Sequence, residues 1–347
     1  STVTMFAILS TIRKPLRMIM LPLFAMMLAA CDPAMLGGLG GAGGTKIDPK
    51  APVTVALLVP RGGSASDNFM AENLENAARM AIRDLDGVQI DLRVYSTAGK
   101  ASTAATAASQ AVSDGAKIIL GPVYGEAANA AGVAVASAGV NVLSFSNNST
   151  IAGGNVFVLG TTFDTIAKRL VSYAKRSGKD KIVVLHANDI SGQLGLNAIQ
   201  RAISANGATL SGDIEYSLSQ ESLPAAVPRV KATIESTGAN ALFMTATPAT
   251  ALPWLAEMLP ASGVRNASTQ FVGMTRWDIP AQTLAIPGIQ GGWFALPDPV
   301  ATAAFAARYN AAYGARPLEF AGLAVDGVAA VGVLVKSGRP NALSGAA

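Results

Sequence analysis

Cysteine and histidine are nearly absent from this chain: Cys31 and His186 are the only ones among 347 residues. A lone cysteine has no disulfide partner within the chain. No His/Cys spacing of a metal site occurs, nor a G-x-S-x-G elbow or a phosphate loop. The Gly-rich residues 37–44 precede the first strand and so make no phosphate cradle. His186 is followed by Ala187-Asn188-Asp189. A histidine beside an aspartate could act as a general base, but without a nucleophile motif it reads as a cleft-lining or loop-capping residue. The expectation is a protein that is not an enzyme and needs no cofactor or metal. Charge is also scarce, at 14% of residues. The net +4 is mostly Arg13, Lys14 and Arg17, in a 30-residue opening that holds no acid. The remainder is about neutral, which excludes a nucleic-acid partner that would need a concentrated basic face. Half the residues are hydrophobic, so the bulk of the chain folds.

Long apolar runs are missing too. The longest, Met18 to Ala30, has 13 residues and follows the basic segment. It is too short for an ordinary membrane span and has the length of a signal-peptide core. Leu28-Ala29-Ala30-Cys31 resembles a bacterial lipobox. That resemblance implies a signal peptide over 1–30 and lipid on Cys31, a membrane anchor of several acyl chains. The expected place is the periplasm, on the outer membrane in preference to the inner. Residues 31–51 read as a flexible, Gly-rich tether.

What is present is an alternation of strands and helices. Gly115 to Thr150 shows it best. Lys117–Leu120 is a branched, doubly buried strand, Gly121-Pro122 breaks it, and Glu126–Ala138 is an Ala-rich helix. Val140–Phe145 is the next strand, ending in Ser146-Asn147-Asn148-Ser149-Thr150. This is a βαβ unit, and open parallel sheets bind ligands beyond their strand C-termini. Val53–Val59 is the first strand, with residues 60–67 a loop and 72–85 a helix. After Asn155–Gly160 the alternation restarts, with a helix capped by Asp164, a strand ending at His186, and a helix from Gly192. A strand over 289–296 and helices over 299–313 and 320–336 close the chain.

The class is α/β, two lobes that are each a mostly parallel sheet flanked by helices. Residues 52–159 and 295–347 are assigned to the first lobe and 160–294 to the second, with crossings near Phe157 and Trp293. Ligand candidates lie just past strand C-termini: Arg61, Tyr124, Gly125, Ser146, Asn147, Asn148, Asn188, Thr247 and Arg276. Asn and Ser also favour such turns through local side-chain to backbone bonds, so each position has a purely structural alternative. Trp277 and Trp293 read as core or lobe-interface aromatics.

VALLVPRGG, GAKIILGPVYGEAANAAGVAVASAGVNVLSFS and FAARYNAAYGARPLEFAGLAVDGVAAV appear in an order that resembles type I periplasmic binding proteins of the branched-chain amino-acid receptor group. GPVYGEAA, SFSNNSTIAGGNVFVLG and the lipobox together look most like the penicillin-binding protein activator lipoproteins of alphaproteobacteria. That likeness implies a clamp that contacts a peptidoglycan synthase, a penicillin-binding protein. The alternative it leaves open is the solute-binding component of an ABC-type uptake system, with a small molecule between the lobes. Three departures argue against a zwitterionic amino acid. Tyr124 and Gly125, with no Ser or Thr, stand where the receptors hold the ligand carboxylate with hydroxyl and backbone N–H groups, Thr275 where they place an acid, and Gly192 where they place a tyrosine. An α-ammonium left without its carboxylate would cost several kcal/mol on desolvation. The resemblance also implies a strand hairpin in the second lobe that Ser344-Gly345-Ala346-Ala347 does not supply.

Overall fold

The structure is a computed structural model that describes residues 45–219 and 221–344. The proposed signal peptide, Cys31 and the tether up to Gly44 lie outside the described residues.

Among the described residues, ten strands make two five-stranded sheets, and every pairing between strands is parallel. The first contains β1 (Val53–Val59), β2 (Ile90–Ser96), β3 (Ile118–Leu120), β4 (Asn141–Ser144) and β5 (Val156–Val158), in the order β2-β1-β3-β4-β5. The second contains β6 (Lys181–Ala187), β7 (Thr209–Tyr216), β8 (Ala241–Met244), β9 (Gln270–Gly273) and β10 (Trp293–Phe294), in the order β10-β9-β8-β6-β7. The central strands β1, β3, β6 and β8 are mostly apolar and, Lys181 apart, have little exposed surface, as a sheet covered on both faces requires.

The helices that cover them are α1 (Ala65–Arg83), α2 (Ala101–Ser113), α3 (Gly125–Val135), α4 (Phe163–Arg176), α5 (Ile190–Asn206), α6 (Ser222–Thr237), α7 (Leu252–Ala261), α8 (Pro299–Tyr313) and α9 (Gly322–Lys336). One face of the first sheet packs on α1 and α9 through Leu57, Leu74, Leu120 and Val328. Its other face packs on α2 and α3, where buried alanines such as Ala108 and Ala131 let helix backbones approach closely. In the second sheet, Ile182 and Val184 meet α4 and α5, while Val183 and Leu185 meet α6 and α7. The alternation along β6 is the two-residue side-chain period of a strand made visible.

Several boundaries differ from the sequence expectation. The helix expected from residue 72 begins at Ala65, inside a stretch read as loop. Ser64 caps it, accepting from the Asp67 N–H at 3.1 Å, while Asp67 accepts from the Ser64 N–H at 2.9 Å. Asp164 is not the cap of α4. Thr162 is, accepting from the Thr165 N–H at 3.2 Å, and Asp164 instead pairs with Arg201 at 2.6 Å. The helix expected from Gly192 starts two residues earlier, because Asp189 accepts from the Gly192 N–H at 2.7 Å. The strand expected over 289–296 shrinks to Trp293–Phe294, preceded by two 3-10 turns.

The last residues of the expected tether are held on the first lobe. Thr45 Oγ1 donates to the Lys117 carbonyl at 3.0 Å, Ile47 N donates to the Pro340 carbonyl, and Ile47 joins the core. At the other end, the Leu343 carbonyl accepts from Asn141 Nδ2 at 3.0 Å and its side chain is buried in the same core.

Candidate functional site

All strands in each sheet run the same way, so each sheet has one C-terminal edge. On the first sheet this edge is made by the turns after Val59, Leu120 and Ser144. On the second it is made by those after Ala187, Met244 and Gly273. The two edges meet at one point. A side chain added to Gly327 of α9 would touch Leu120 and Leu159, near the C-terminal ends of β3 and β5, whereas one added to Gly332 would meet Leu85, beyond the far end of α1. The start of α9 therefore lies at the C-terminal edge of the first sheet, and Glu319 precedes it. Glu319 Oε1 accepts from Nη1 of Arg276, three residues past β9, at 2.5 Å. This bond thus links the C-terminal edge of the second sheet to that of the first.

The first-lobe wall is built around the Gly121-Pro122 turn. Gly121 has φ +81°, and a Cβ there would fall 2.3 Å from the Leu58 carbonyl oxygen, so only glycine fits. Ser144 Oγ donates to the Pro122 carbonyl at 3.0 Å and accepts from the Ser146 N–H at 3.0 Å, locking this turn to the next. Ser146 is buried, and its Oγ accepts from the Asn148 N–H at 3.1 Å. Asn148 in turn caps a 3-10 turn, accepting from Thr150 N at 3.0 Å and Thr150 Oγ1 at 2.7 Å. Gly125 opens α3 directly beside them. A Cβ on it would lie 3.3 Å from Asn148 Nδ2 and 3.4 Å from Ser146 Oγ. The structure thus brings Gly125, Ser146 and Asn148 together, with Asn147 exposed on the same turn.

Tyr124 and Arg61 have acidic partners that sequence reasoning did not single out. The Tyr124 hydroxyl donates to Asp67 Oδ1. That bond, then those from Ser64, hold the Asp67 carboxyl below its ordinary range, while the same bond and then burial push Tyr124 up. Arg61 Nη2 meets Glu75 Oε2 at 2.7 Å, and the other Glu75 oxygen takes Arg79 at 2.8 Å. Burial would raise the Glu75 carboxyl, but hydrogen bonds from Arg61 and Arg79 outweigh it and the net direction is down.

On the second lobe, Asn188, Thr247 and Arg276 follow the neighbouring strands β6, β8 and β9. Asn188 is exposed and makes no side-chain hydrogen bond among the described residues. Thr247 is tied to its own turn, its N–H donating to Thr250 Oγ1 at 3.1 Å. Arg276 grips Asp278 with two bonds, of 2.6 and 2.5 Å, besides Glu319. The Arg276 hydrogen bond lowers the Asp278 carboxyl, and the same bond heads the causes that raise the guanidinium. Gly192 is packed hard against β6, since a Cβ there would fall 1.9 Å from the Ala187 carbonyl oxygen. No aromatic side chain fits at that position. Ile190, which the sequence reading passed over, is 83% exposed at the start of α5.

His186 is buried at the end of β6. Its Nδ1 faces the Ala187 carbonyl at 3.1 Å, and its Nε2 has no hydrogen-bond partner. Its nearest acid is Asp213 at 3.8 Å, whereas Asp189 is occupied as a helix cap. Trp277 is buried between Gly273 and Gly292, and Trp293 stacks edge-on with Tyr173 at 4.8 Å.

Two surface grooves of about 600 Å³ lie elsewhere on the second lobe. One runs along α7 and is lined by Pro253, Ala256, Pro260, Ile286 and Pro287. The other sits on the outer face of α5, around Asn197 and Arg201. Both are shallow, and neither is formed by the turns that follow the strands, so the polar turns at the strand C-termini remain the better candidate. Among the described residues, no group of three or more His, Cys, Asp or Glu is placed to hold a metal ion, and no helix is long and apolar enough to cross a membrane.

Two all-parallel sheets, each flanked by helices and meeting at their C-terminal edges, define a two-lobed α/β protein of the type I binding-protein fold. The chain belongs to the periplasmic binding protein family, whose model matches residues 52–347. The family places it in the periplasm and among ligand-binding proteins. Among solved structures, it is similar to an ABC-transporter protein assigned to branched-chain amino acids from Rhodospirillum rubrum, at 19% identity, over 84% of this chain and 88% of that one, with a TM-score of 0.65. It is also similar to a branched-chain amino acid ABC transporter periplasmic ligand-binding protein from Burkholderia xenovorans, at 18% identity, 84% and 81% coverage, TM-score 0.61. A third is an ABC transporter substrate-binding protein from Desulfitobacterium hafniense in complex with Leu, at 19% identity, 84% and 87% coverage, TM-score 0.54. At these identities the likeness is one of fold. No curated protein matches the sequence.

Proposed function

We propose that this protein is the solute-binding component of an ABC-type uptake system and holds a small molecule between its lobes. The observation that carries the reading is the cluster of Gly125, Ser146 and Asn148 at the strand C-termini of the first sheet, in a family of periplasmic binding proteins, and the reading takes the exposed Asn188, which follows β6, as its counterpart on the second lobe. Hydroxyl, amide and backbone N–H groups on rigid turns suit a small polar solute. The lobes are residues 52–159 with 295–347, and residues 160–294. A lipid on Cys31 would tether them to the envelope membrane.

A second reading rests on a different observation. Arg61, Tyr124 and Arg276 each spend their donors on acids of the protein itself. A clamp with its charges so occupied suits contact with a protein, and the partner proposed is a penicillin-binding protein whose peptidoglycan synthesis it regulates. One experiment separates the two. Purified protein is melted against a panel of amino acids and other small solutes, L-leucine among them. A solute at about 100 times its dissociation constant adds about 2.7 kcal/mol of stability. A saturable rise in Tm with one solute, lost in Ser146→Ala and Asn188→Ala, supports the uptake reading. No response across the panel, together with co-purification of a peptidoglycan synthase from envelope extract, supports the other.

A further inference from the structure

The bond between Arg276 and Glu319 is the single side-chain hydrogen bond or ion pair that joins the two lobes among the described residues. It is mounted rigidly at both ends. Glu319 sits on a 3-10 turn whose next-but-one residue, Ala321, is fully buried. The Leu318 N–H just before it donates to Oδ1 of the buried Asn73 on α1 at 2.8 Å. Arg276 precedes Trp277, which is wedged against Gly273 and Gly292 and leaves that loop little room to shift. Its guanidinium is fixed in its own plane by the two-pronged grip of Asp278, so Nη1 is left pointing across to Glu319. By contrast, the chain crosses between the lobes through short segments, Leu159–Thr162 and Ala295–Asp298. Short connections between rigid bodies are where hinge motion concentrates.

The geometry points to a latch: the Arg276–Glu319 pair biases the hinge toward the lobe arrangement of this structure, with Asp278 keeping the arginine aimed when the pair opens. Arg276 is then a positioning residue for the lobes and not the counter-ion of a ligand. This rests on the two-lobed clamp but not on any particular solute. Glu319 is 45% exposed, so the latch is a weak one, sensitive to salt and easily released by a ligand that favours another arrangement. Its expected strength is a bias of about fivefold in the population of this arrangement.

The test uses the full chain with Cys31→Ser and spin labels at Val133→Cys on α3 and Ser204→Cys on α5, both exposed and outside the gap. Inter-lobe distance distributions are measured at low ionic strength and in about 1 M NaCl, which screens surface pairs. The expected result is a distribution that shifts with salt in the parent, and in Glu319→Gln is already shifted and indifferent to salt. Circular dichroism and Tm verify that Glu319→Gln is folded. Glu319→Asp, which keeps the charge on a shorter arm, is expected to recover part of the salt response. Identical distributions in the parent and Glu319→Gln would overturn the latch. A salt response that persists unchanged in Glu319→Gln would overturn it too. If the distances behave as expected while no solute binds, the latch stands and the uptake reading falls.

Discussion

At the residue scale, the chemistry of the gap is decided by which charges are already neutralised. Glu75 holds Arg61 and Arg79, and its carboxyl is depressed below the ordinary value of 4.5. A carboxyl depressed in the folded state contributes stability that is complete above its unfolded value and fades as pH falls through its folded value. Glu75→Gln should therefore cost about 1 kcal/mol at neutral pH, since the pair is partly solvated, and nothing at strongly acidic pH. Urea unfolding of both proteins across that range measures it. Asp326 on α9 has the opposite sign. Its side chain is exposed, yet desolvation by the groups packed beside it pushes the carboxyl up. A raised acid weakens the fold as pH climbs above 3.8. Asp326→Asn should accordingly raise Tm at neutral pH and leave it unchanged in strong acid, which a pH series of melting curves checks. The pairing of Tyr124 with Asp67 and of Arg276 with Glu319 was not legible in the sequence. Their partners are 57 and 43 positions apart, and nothing in local composition marks a bond that exists only once the sheets have formed.

At the scale of elements, the strands and helices are set by patterns that the sequence carries openly. β1 and α8 have the boundaries their composition predicts, because an unbroken branched run and a Pro-to-Gly helix signature leave no competing register. The ends that moved were decided by single side chains acting as caps. Ser64 extends α1 into a Gly- and Ser-rich stretch that reads as loop, and Thr162 displaces Asp164 as the start of α4. The second case gives a direct comparison. Thr162→Ala should cost about 1 kcal/mol through loss of the cap. Asp164→Ala removes only an exposed pair with Arg201 and should cost less than half of that. Chemical denaturation of the two variants side by side measures the difference, and the reverse ranking would restore Asp164 as the cap. The turns of the candidate site were legible in kind, since Ser, Asn and Gly after buried strands announce them. Which turns touch was not, because Gly125 meets Ser146 and Asn148 only through the parallel pairing of β3 and β4.

At the scale of the molecule, every part of the functional reading depends on a solute being held between the two lobes. The chain lacks the Ser or Thr, the acid and the tyrosine that the resemblance to amino-acid receptors led one to expect at 124–125, 275 and 192. At 192 the backbone of β6 leaves no space for a side chain. Lobe closure over a solute, resisted or aided by the pair at Arg276, is the motion that would signal occupancy to a transporter. The most direct test is hydrogen exchange with and without the solute that stabilises the protein best. The account predicts slowed exchange at residues 121–126 and 144–150 of the first lobe together with 187–190 and 273–276 of the second. Protection confined to the groove beside Pro253 and Pro287, or to one lobe alone, would contradict it.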